Sequence, residues 1–309
     1  MTHRLVSFAL LAACAARHAP PAPSSSAARA TPGTALTTPA PPARASVADP
    51  PFGVRITGHG PPVILIPGLA SSADVWNTTV THLAPRFTCY VLELPGFAGR
   101  PAIPAPVLST VRDALAAYIR AHHLDRPVVV GHSLGGFVAL DLARSAPELA
   151  GRLVIIDAYP FLPAVFDPNI TVDAARGIAE GWRHRLAQQS AAEYERQNRG
   201  TLARMITDPA QQEVALGWGA RSDRAAVAQA MAELMSTDLR PALSAITAPT
   251  LVIAAEQGYD TDRDALTRLF AAQYAGLRDA RLAIAERARH FVMLDDPAFL
   301  FSELDTFLR

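Results

Sequence analysis

Short apolar runs alternate with helical patterns along most of this chain, and that alternation limits the folds available to it. Apolar runs at residues 63–66, 128–130 and 251–255 are short and rich in β-branched residues, which is typical of strands buried on both faces. Further runs are found at 88–92, 153–156 and 281–285, and helical patterns at 75–83, 110–122, 137–145, 264–274 and 297–308. The alternation predicts an α/β fold with a mostly parallel central sheet and helices on both faces.

The alternation stops between about residues 160 and 241. This stretch has a helical pattern and carries Trp182, Trp218 and several methionines. It predicts a helical cap insertion over one end of the sheet, inside a single domain that covers residues 51–309. The aromatic residues Phe161, Phe166, Trp182 and Trp218 either line a pocket in this cap or form its own core.

The N-terminal residues predict export. Arg4 and an apolar run that ends at Ala13 are typical of a signal peptide over residues 1–13. The run Leu11-Ala12-Ala13-Cys14 resembles the lipobox of bacterial lipoproteins, which implies a lipid on Cys14; the alternative is simple export with cleavage after Ala15. Residues 14–50, rich in Ala, Pro and Ser, predict a disordered tether. The expected location is the bacterial cell envelope, with a lipid anchor in the membrane.

Composition excludes several kinds of chemistry. The 309 residues carry 28 basic and 28 acidic side chains, so no excess positive charge indicates a nucleic-acid partner. All the basic residues are arginines, and without a lysine amine the chain cannot form a Schiff base or a Ser-Lys dyad. Two cysteines are too few for a disulfide scaffold or a cysteine-based zinc site, and no metal site is predicted.

The most informative motif is Gly131-His132-Ser133-Leu134-Gly135-Gly136, which lies between a predicted strand and a predicted helix. A serine in G-x-S-x-G with both of these flanks is typical of a nucleophile elbow. The tight turn needs glycines because flanking side chains would clash, and it presents the Ser133 hydroxyl above the sheet. The Leu134 N–H then begins a helix, where its partial positive charge can face an oxyanion.

With this motif the chain resembles the α/β-hydrolase fold family, in its serine esterase and lipase-like branch, from about Phe52 to Arg309. Ile66-Pro67-Gly68-Leu69 stands where that family has its His-Gly-x loop, with proline replacing the usual histidine. The resemblance implies that the backbone N–H groups of Leu69 and Leu134 form the oxyanion hole. A second loop, Leu94-Pro95-Gly96-Phe97-Ala98-Gly99, matches the family's loop after the next strand.

The resemblance also implies a base and an acid for Ser133. His290 follows the last predicted strand, where the family places its base, and it is expected to take the proton from Ser133. The family usually places the acid after the strand at residues 251–255, so Asp260 is the predicted acid. Asp262 and Asp157 are the alternatives, although Asp262 is also well placed to cap the next helix.

These residues predict a serine hydrolase that cleaves carboxylic esters of apolar acyl or aryl groups through an acyl-enzyme, without a cofactor. The base predicts that activity rises with pH near the ordinary imidazole pKa of about 6.5. Alternatives on the same fold are a proline-type aminopeptidase, a thioesterase, an acyltransferase and a cofactor-free perhydrolase. A catalytically silent binding protein is the alternative of a different class. The expected partner is a small-molecule ester; the sequence does not indicate an oligomeric state.

Overall fold

A computed structural model describes residues 49–259 and 261–309 of this chain. The predicted signal peptide, Cys14 and all of the predicted tether except Asp49 and Pro50 therefore lie outside the described residues, and so does Asp260. Within the described residues, the first strand begins at Gly53.

In the described part of the chain, seven strands form one sheet in the order β1-β3-β2-β4-β5-β6-β7. They are Gly53–Gly58 (β1), Pro62–Ile66 (β2), Thr88–Glu93 (β3), Val128–His132 (β4), Arg152–Ile156 (β5), Thr250–Ala255 (β6) and Ala280–Ala285 (β7). Only β1 runs antiparallel to its neighbour, and every other pair in this sheet is parallel. The structure confirms the predicted mostly parallel α/β sheet and all six predicted strands.

The sequence analysis missed β1. This strand lies at the edge of the sheet and is half-buried at its start and exposed at its end, so it lacks the continuous apolar run of the central strands. Ile56 is 57% exposed. An edge strand that buries so little apolar surface has a weak sequence signal.

Alternate residues of the central strands face two separate apolar cores. In β2, Ile64 and Ile66 pack in one core with residues of α2 (Val107–Ala121) and α3 (Leu134–Ser145). Val63 and Leu65 pack in the other core, with residues of β4, β6 and the C-terminal helices. Since successive strand residues point to opposite faces, both cores need apolar residues and the strands become continuously apolar.

Helices cover both faces of the sheet. Besides α2 and α3, the described helices are Asn77–Leu83 (α1), Val172–Gln188 (α4), Ala191–Met205 (α5), Pro209–Ala220 (α6), Arg224–Ser236 (α7), Arg263–Gln273 (α8), Val292–Asp295 (α9) and Pro297–Phe307 (α10). Helices α4 to α7, called the inserted helices below, all lie between β5 and β6 in the chain. Among the described residues, no helix combines the length and the apolar character needed to cross a bilayer.

Candidate active site

Ser133 lies at a sharp turn between β4 and α3. Its φ of 53° and ψ of −121° lie in a region that non-glycine residues rarely adopt. The Ser133 N–H donates to the Ile156 carbonyl at 2.9 Å, so the turn is tied to the end of the neighbouring strand β5. The backbone therefore holds Ser133 in a strained conformation beyond the carboxyl end of β4.

Close backbone packing explains the glycines of this motif. A Cβ atom at Gly131 would lie 2.3 Å from the Gly135 carbonyl oxygen, and one at Gly135 would lie 2.2 Å from the Ile66 carbonyl oxygen. Either contact is far shorter than a carbon and an oxygen tolerate. The turn between β4 and α3 can thus form only if both positions lack a side chain.

His290 lies in the segment between β7 and α9, and its ring is paired with Asp157. The His290 Nδ1–H donates to Asp157 Oδ2 at 2.6 Å. His290 is 9% exposed and Asp157 is 2% exposed, so water screens this contact very little. Proton donation from Nδ1 leaves Nε2 as the basic nitrogen of the neutral ring. Asp157 directly follows β5, the strand beside β4, and its φ is 44°.

Other donors hold the Asp157 carboxylate in place. Oδ1 accepts from the Ala255 N–H at 3.1 Å, and the Tyr259 hydroxyl lies 3.2 Å and 3.3 Å from the two carboxylate oxygens. The Tyr159 hydroxyl in turn donates to the Tyr259 hydroxyl at 2.7 Å. Burial, and then the charge of Asp157, raise the pKa of both tyrosines well above its ordinary value. Both hydroxyl groups consequently stay protonated and can donate.

The three aspartates singled out from the sequence have different surroundings. Asp157, one of the two alternatives, contacts His290 through Nδ1 of the ring. Asp262 caps α8, because its Oδ1 accepts from the Ala265 N–H at 2.7 Å. Asp260 lies outside the described residues, and its assignment as the acid stays a prediction. The sequence analysis did not identify Tyr259, although it lies directly before Asp260.

Leu69 and Leu134 flank Ser133 from two directions. Leu134 is the first residue of α3, so its N–H has no partner within the helix. Leu69 follows β2 in a loop that passes close to Ser133, since a Cβ atom at Gly68 would lie 3.3 Å from Ser133 Cβ. Within the described residues, neither N–H donates to another protein group. Both amides can thus serve as donors to an oxyanion bonded to Ser133.

His132 lies inside the motif but has a structural contact. Its side chain is fully buried, and its Nε2–H donates to the His290 carbonyl at 3.0 Å. The centroids of the His132 and His290 rings lie 4.5 Å apart. Burial, and then repulsion from His290, lower the pKa of His132 well below its ordinary value, so its ring is neutral. His132 therefore holds the segment that carries the His290 side chain.

Within the described residues, the Ser133 hydroxyl makes no hydrogen bond, although Ser133 and His290 line the same two cavities. Contacts between nucleophile and base are often loose without substrate. The arrangement offers a hydroxyl, a basic imidazole nitrogen and a buried carboxylate, as acyl transfer requires.

The two cavities differ in chemical character. The apolar chamber encloses about 840 Å³ of empty space, part of it open to solvent, and is lined by Leu162, Val165, Phe166, Leu234 and Met235 together with Asp157, Tyr159 and Tyr259. The amide-lined chamber contains Gln197, Asn198, Thr201, Tyr194 and Trp218 beside the loop Gly68–Ser71. Trp182, Met205 and Met231 line both chambers. The aromatic residues noted in the sequence thus line these chambers, except Phe161, which packs in a small apolar cluster.

No other reactive centre is evident in the described part of the chain. There, no group of three or more His, Cys, Asp or Glu side chains could hold a metal ion. Burial raises the pKa of the Cys89 thiol to about 11, so this cysteine is protonated at neutral pH.

Comparison with known proteins identifies relatives of this chain. The profile described as "Alpha/beta hydrolase family" matches residues 63–303. The pimeloyl-[acyl-carrier protein] methyl ester esterase of Aromatoleum aromaticum is 30% identical over 77% of this chain and 94% of its own length. Its counterpart from Pectobacterium carotovorum is 32% identical, but over only 38% of this chain and 45% of the relative. The chain therefore spans less than half the length of that relative.

Solved structures share the fold. An esterase from Exiguobacterium antarcticum superposes with a TM-score of 0.70, covering 83% of this chain and 94% of that esterase. The sequence identity is 18%, so this likeness concerns the fold alone.

Proposed function

The chain belongs to the alpha/beta hydrolase family, and we propose that it is a serine hydrolase that cleaves carboxylic esters through an acyl-enzyme. One observation carries the proposal: Ser133, on its strained turn, lines the same cavities as His290, whose ring is paired with the buried Asp157. Esterases among the relatives, including the pimeloyl-[acyl-carrier protein] methyl ester esterases, support ester hydrolysis as the reaction class.

The proposed mechanism has two steps. In the first, His290 Nε2 takes the proton from the Ser133 hydroxyl, whose oxygen attacks the ester carbonyl carbon. The N–H groups of Leu69 and Leu134 stabilise the negative charge on the carbonyl oxygen. The imidazolium then gives its proton to the leaving alcohol. In the second step, His290 deprotonates a water molecule, which attacks the acyl-enzyme. The imidazolium then returns its proton to the Ser133 oxygen as the bond to the acyl carbon breaks, which releases the acid and regenerates the Ser133 hydroxyl.

Asp157 is the acid in this mechanism, in place of the predicted Asp260. Its contact with Nδ1 fixes the tautomer in which Nε2 is basic, and its negative charge stabilises the imidazolium. Asp157 can contact His290 beside Ser133 because Ser133 and Asp157 follow adjacent parallel strands.

The reaction class is tested with a fluorophosphonate probe and a series of p-nitrophenyl esters of increasing acyl length. We expect the probe to label the folded protein at Ser133, and Ser133→Ala to abolish both labelling and ester hydrolysis. Ser302→Ala removes an exposed hydroxyl on α10 and is the matched control, which should label fully. A folded wild-type protein that the probe does not label would overturn the proposal in favour of a silent binding protein.

Export and lipid attachment at Cys14 remain part of the proposal. They rest on the signal-like N-terminus and on the resemblance of residues 11–14 to a lipobox. Cells that express the full chain with a fatty-acid tracer should incorporate the tracer, and Cys14→Ser should abolish incorporation. Equal incorporation of the tracer by wild type and variant, or no incorporation by wild type, would refute lipid attachment at Cys14.

A further inference from the structure

The reaction centre lies between two chambers of unlike chemistry. Ser133, His290 and Leu69 line both the apolar chamber and the amide-lined chamber, and Trp182 and Met231 also border both. An ester bonded to Ser133 has two substituents on its reacting centre, one on the acyl side and one on the alcohol side. Two chambers that meet at Ser133 can each receive one of these arms.

The apolar chamber selects an apolar arm. Beyond the side chains near His290, its wall consists of aliphatic, methionine and aromatic residues from the inserted helices and the segment before them: Leu162, Val165, Phe166, Trp182, Leu234 and Met235. Tyr159 and Tyr259, its hydroxyl-bearing members, already use these groups on each other and on Asp157. A polar substituent there would lose its hydration without gaining partners.

The amide-lined chamber offers hydrogen-bonding groups from one face of α5. Gln197, Asn198 and Thr201 line it together. Gln197 Oε1 accepts from the Gln189 Nε2 group at 2.6 Å. In the described part of the protein, neither the Asn198 amide nor the Thr201 hydroxyl makes a hydrogen bond. Both are half-buried, so they keep donor and acceptor capacity for a ligand.

The neighbouring helix makes room for the Asn198 amide. Gly219, on α6, also lines the amide-lined chamber, and a Cβ atom there would lie 2.5 Å from Asn198 Nδ2. An ordinary side chain at residue 219 would displace the amide. The absence of a side chain at this position is therefore what allows the Asn198 amide to occupy its place in the wall.

Charge narrows the choice of substrate. Of the described residues that line either chamber, none is an arginine or a glutamate, and Asp157 is the only aspartate. Asp157 is already paired with His290. A carboxylate or ammonium group on either arm would be desolvated without a free opposite charge among the described lining residues, which is costly.

We propose that this hydrolase takes uncharged esters with two unlike arms. The apolar arm lies in the apolar chamber, and the other arm carries a hydroxyl or a similar neutral group that hydrogen-bonds to Asn198 and Thr201. The inference rests on the proposed ester hydrolysis at Ser133 and adds the class of substrate.

Two matched pairs of esters test the inference whichever chamber takes the acyl side. Pentyl hexanoate is compared with 4-hydroxybutyl hexanoate, and butyl heptanoate with butyl 6-hydroxyhexanoate, by titrating the released acid. Within each pair a hydroxyl replaces a terminal methyl group. The measured quantity is the ratio of kcat/KM, hydroxyl ester over alkyl ester.

We expect Asn198→Leu to lower this ratio in one pair by about fivefold, the usual worth of one neutral hydrogen bond. Gly219→Ala leaves the Asn198 side chain chemically intact, but the new methyl group should displace its amide. The same ratio should therefore fall. Gln188→Leu makes a similar amide-to-leucine change at an exposed position outside both chambers and should leave both ratios unchanged. Circular dichroism and thermal unfolding check that each variant is folded.

The outcomes separate this inference from the proposed function. Hydrolysis that depends on Ser133, with the same ratios in wild type, Asn198→Leu and Gly219→Ala, overturns the two-arm inference alone. If no ester at all is hydrolysed in a reaction that depends on Ser133, both the two-arm inference and the proposed function are overturned. An ester in which a sulfonate group replaces the terminal hydroxyl provides a further test. Faster cleavage of this ester than of its neutral counterpart refutes the requirement for uncharged arms.

Discussion

Replacing Asp157 by asparagine tests how the base is oriented. Oδ1 of Asp157 accepts from the Ala255 N–H, whereas the Tyr259 hydroxyl lies at similar distances from both carboxylate oxygens. In Asp157→Asn, the Ala255 N–H, which can only donate, would keep the amide oxygen at the Oδ1 position, which puts the NH₂ group where Oδ2 now faces His290 Nδ1. A donor at that point selects the ring tautomer with its proton on Nε2, and this tautomer cannot deprotonate Ser133.

The magnitude follows from the loss of the basic nitrogen. A misoriented tautomer in this kind of triad lowers kcat by about four orders of magnitude, or roughly 5 kcal/mol in the activation barrier. We expect Asp157→Asn to show this loss with little change in KM, since the chambers keep their shape. Stopped assays with the preferred p-nitrophenyl ester at pH 7 measure it.

Two further variants are the controls for this experiment. Asp262→Asn should keep its kcat, since asparagine also caps helices and Asp262 contacts α8. Asp260→Asn tests the acid predicted from the sequence. Wild-type kcat in Asp157→Asn, together with a collapse in Asp260→Asn, would refute the reasoning and restore the prediction from the sequence.

Three more changes follow from the site. Tyr259→Phe removes a hydroxyl from Asp157 and leaves that of Tyr159 without its acceptor, so we expect kcat to fall about tenfold and urea unfolding to show about 1–3 kcal/mol less stability; an unchanged kcat would mean that Tyr259 does not position the acid. Gly68→Ala places a methyl group 3.0 Å from His132 Nδ1 and 3.3 Å from Ser133 Cβ, which should displace the Leu69 N–H and lower kcat by about 10²–10³; full activity would contradict the role of that loop. The depressed pKa of His132 means that the unfolded chain binds a proton more readily than the folded one, so below about pH 6.5 this residue should reduce stability by up to about 1.4 kcal/mol per pH unit. His132→Gln keeps a donor for the His290 carbonyl and should flatten the dependence, and parallel stability curves from pH 7 to 5 would disprove the assignment.

Features that depend on neighbouring residues could be predicted from the sequence. The run from Val128 to Gly136 contains a strand, a turn and a helix start, and the steric need for glycine is local to it. The buried strands were equally clear, because a strand between two apolar cores must be apolar throughout. The edge strand β1 could not be predicted in this way, since its stability comes from pairing with β3 rather than from its own pattern.

The partner of His290 could not be singled out from the sequence. Its contact with Asp157 depends on residues far apart in the chain, with Ala255 and Tyr259 supplying the other hydrogen bonds. No local sequence pattern around Asp157 indicates these hydrogen-bond donors. The division of the inserted helices into apolar and amide-lined walls also depends on how α4 to α7 pack together, so composition left pocket and core equally open.

A centre that lies between two compartments also separates the fates of the two halves of a cleaved substrate. In the proposed mechanism, the departure of the alcohol vacates the compartment that it filled, while the acyl half stays covalently held in the other. The next small molecule to enter the vacated space contacts the acyl-enzyme directly. Water and incoming alcohols would therefore compete for reaction with it. The same architecture therefore links the filling of one compartment to whether the product is a free acid or a new ester.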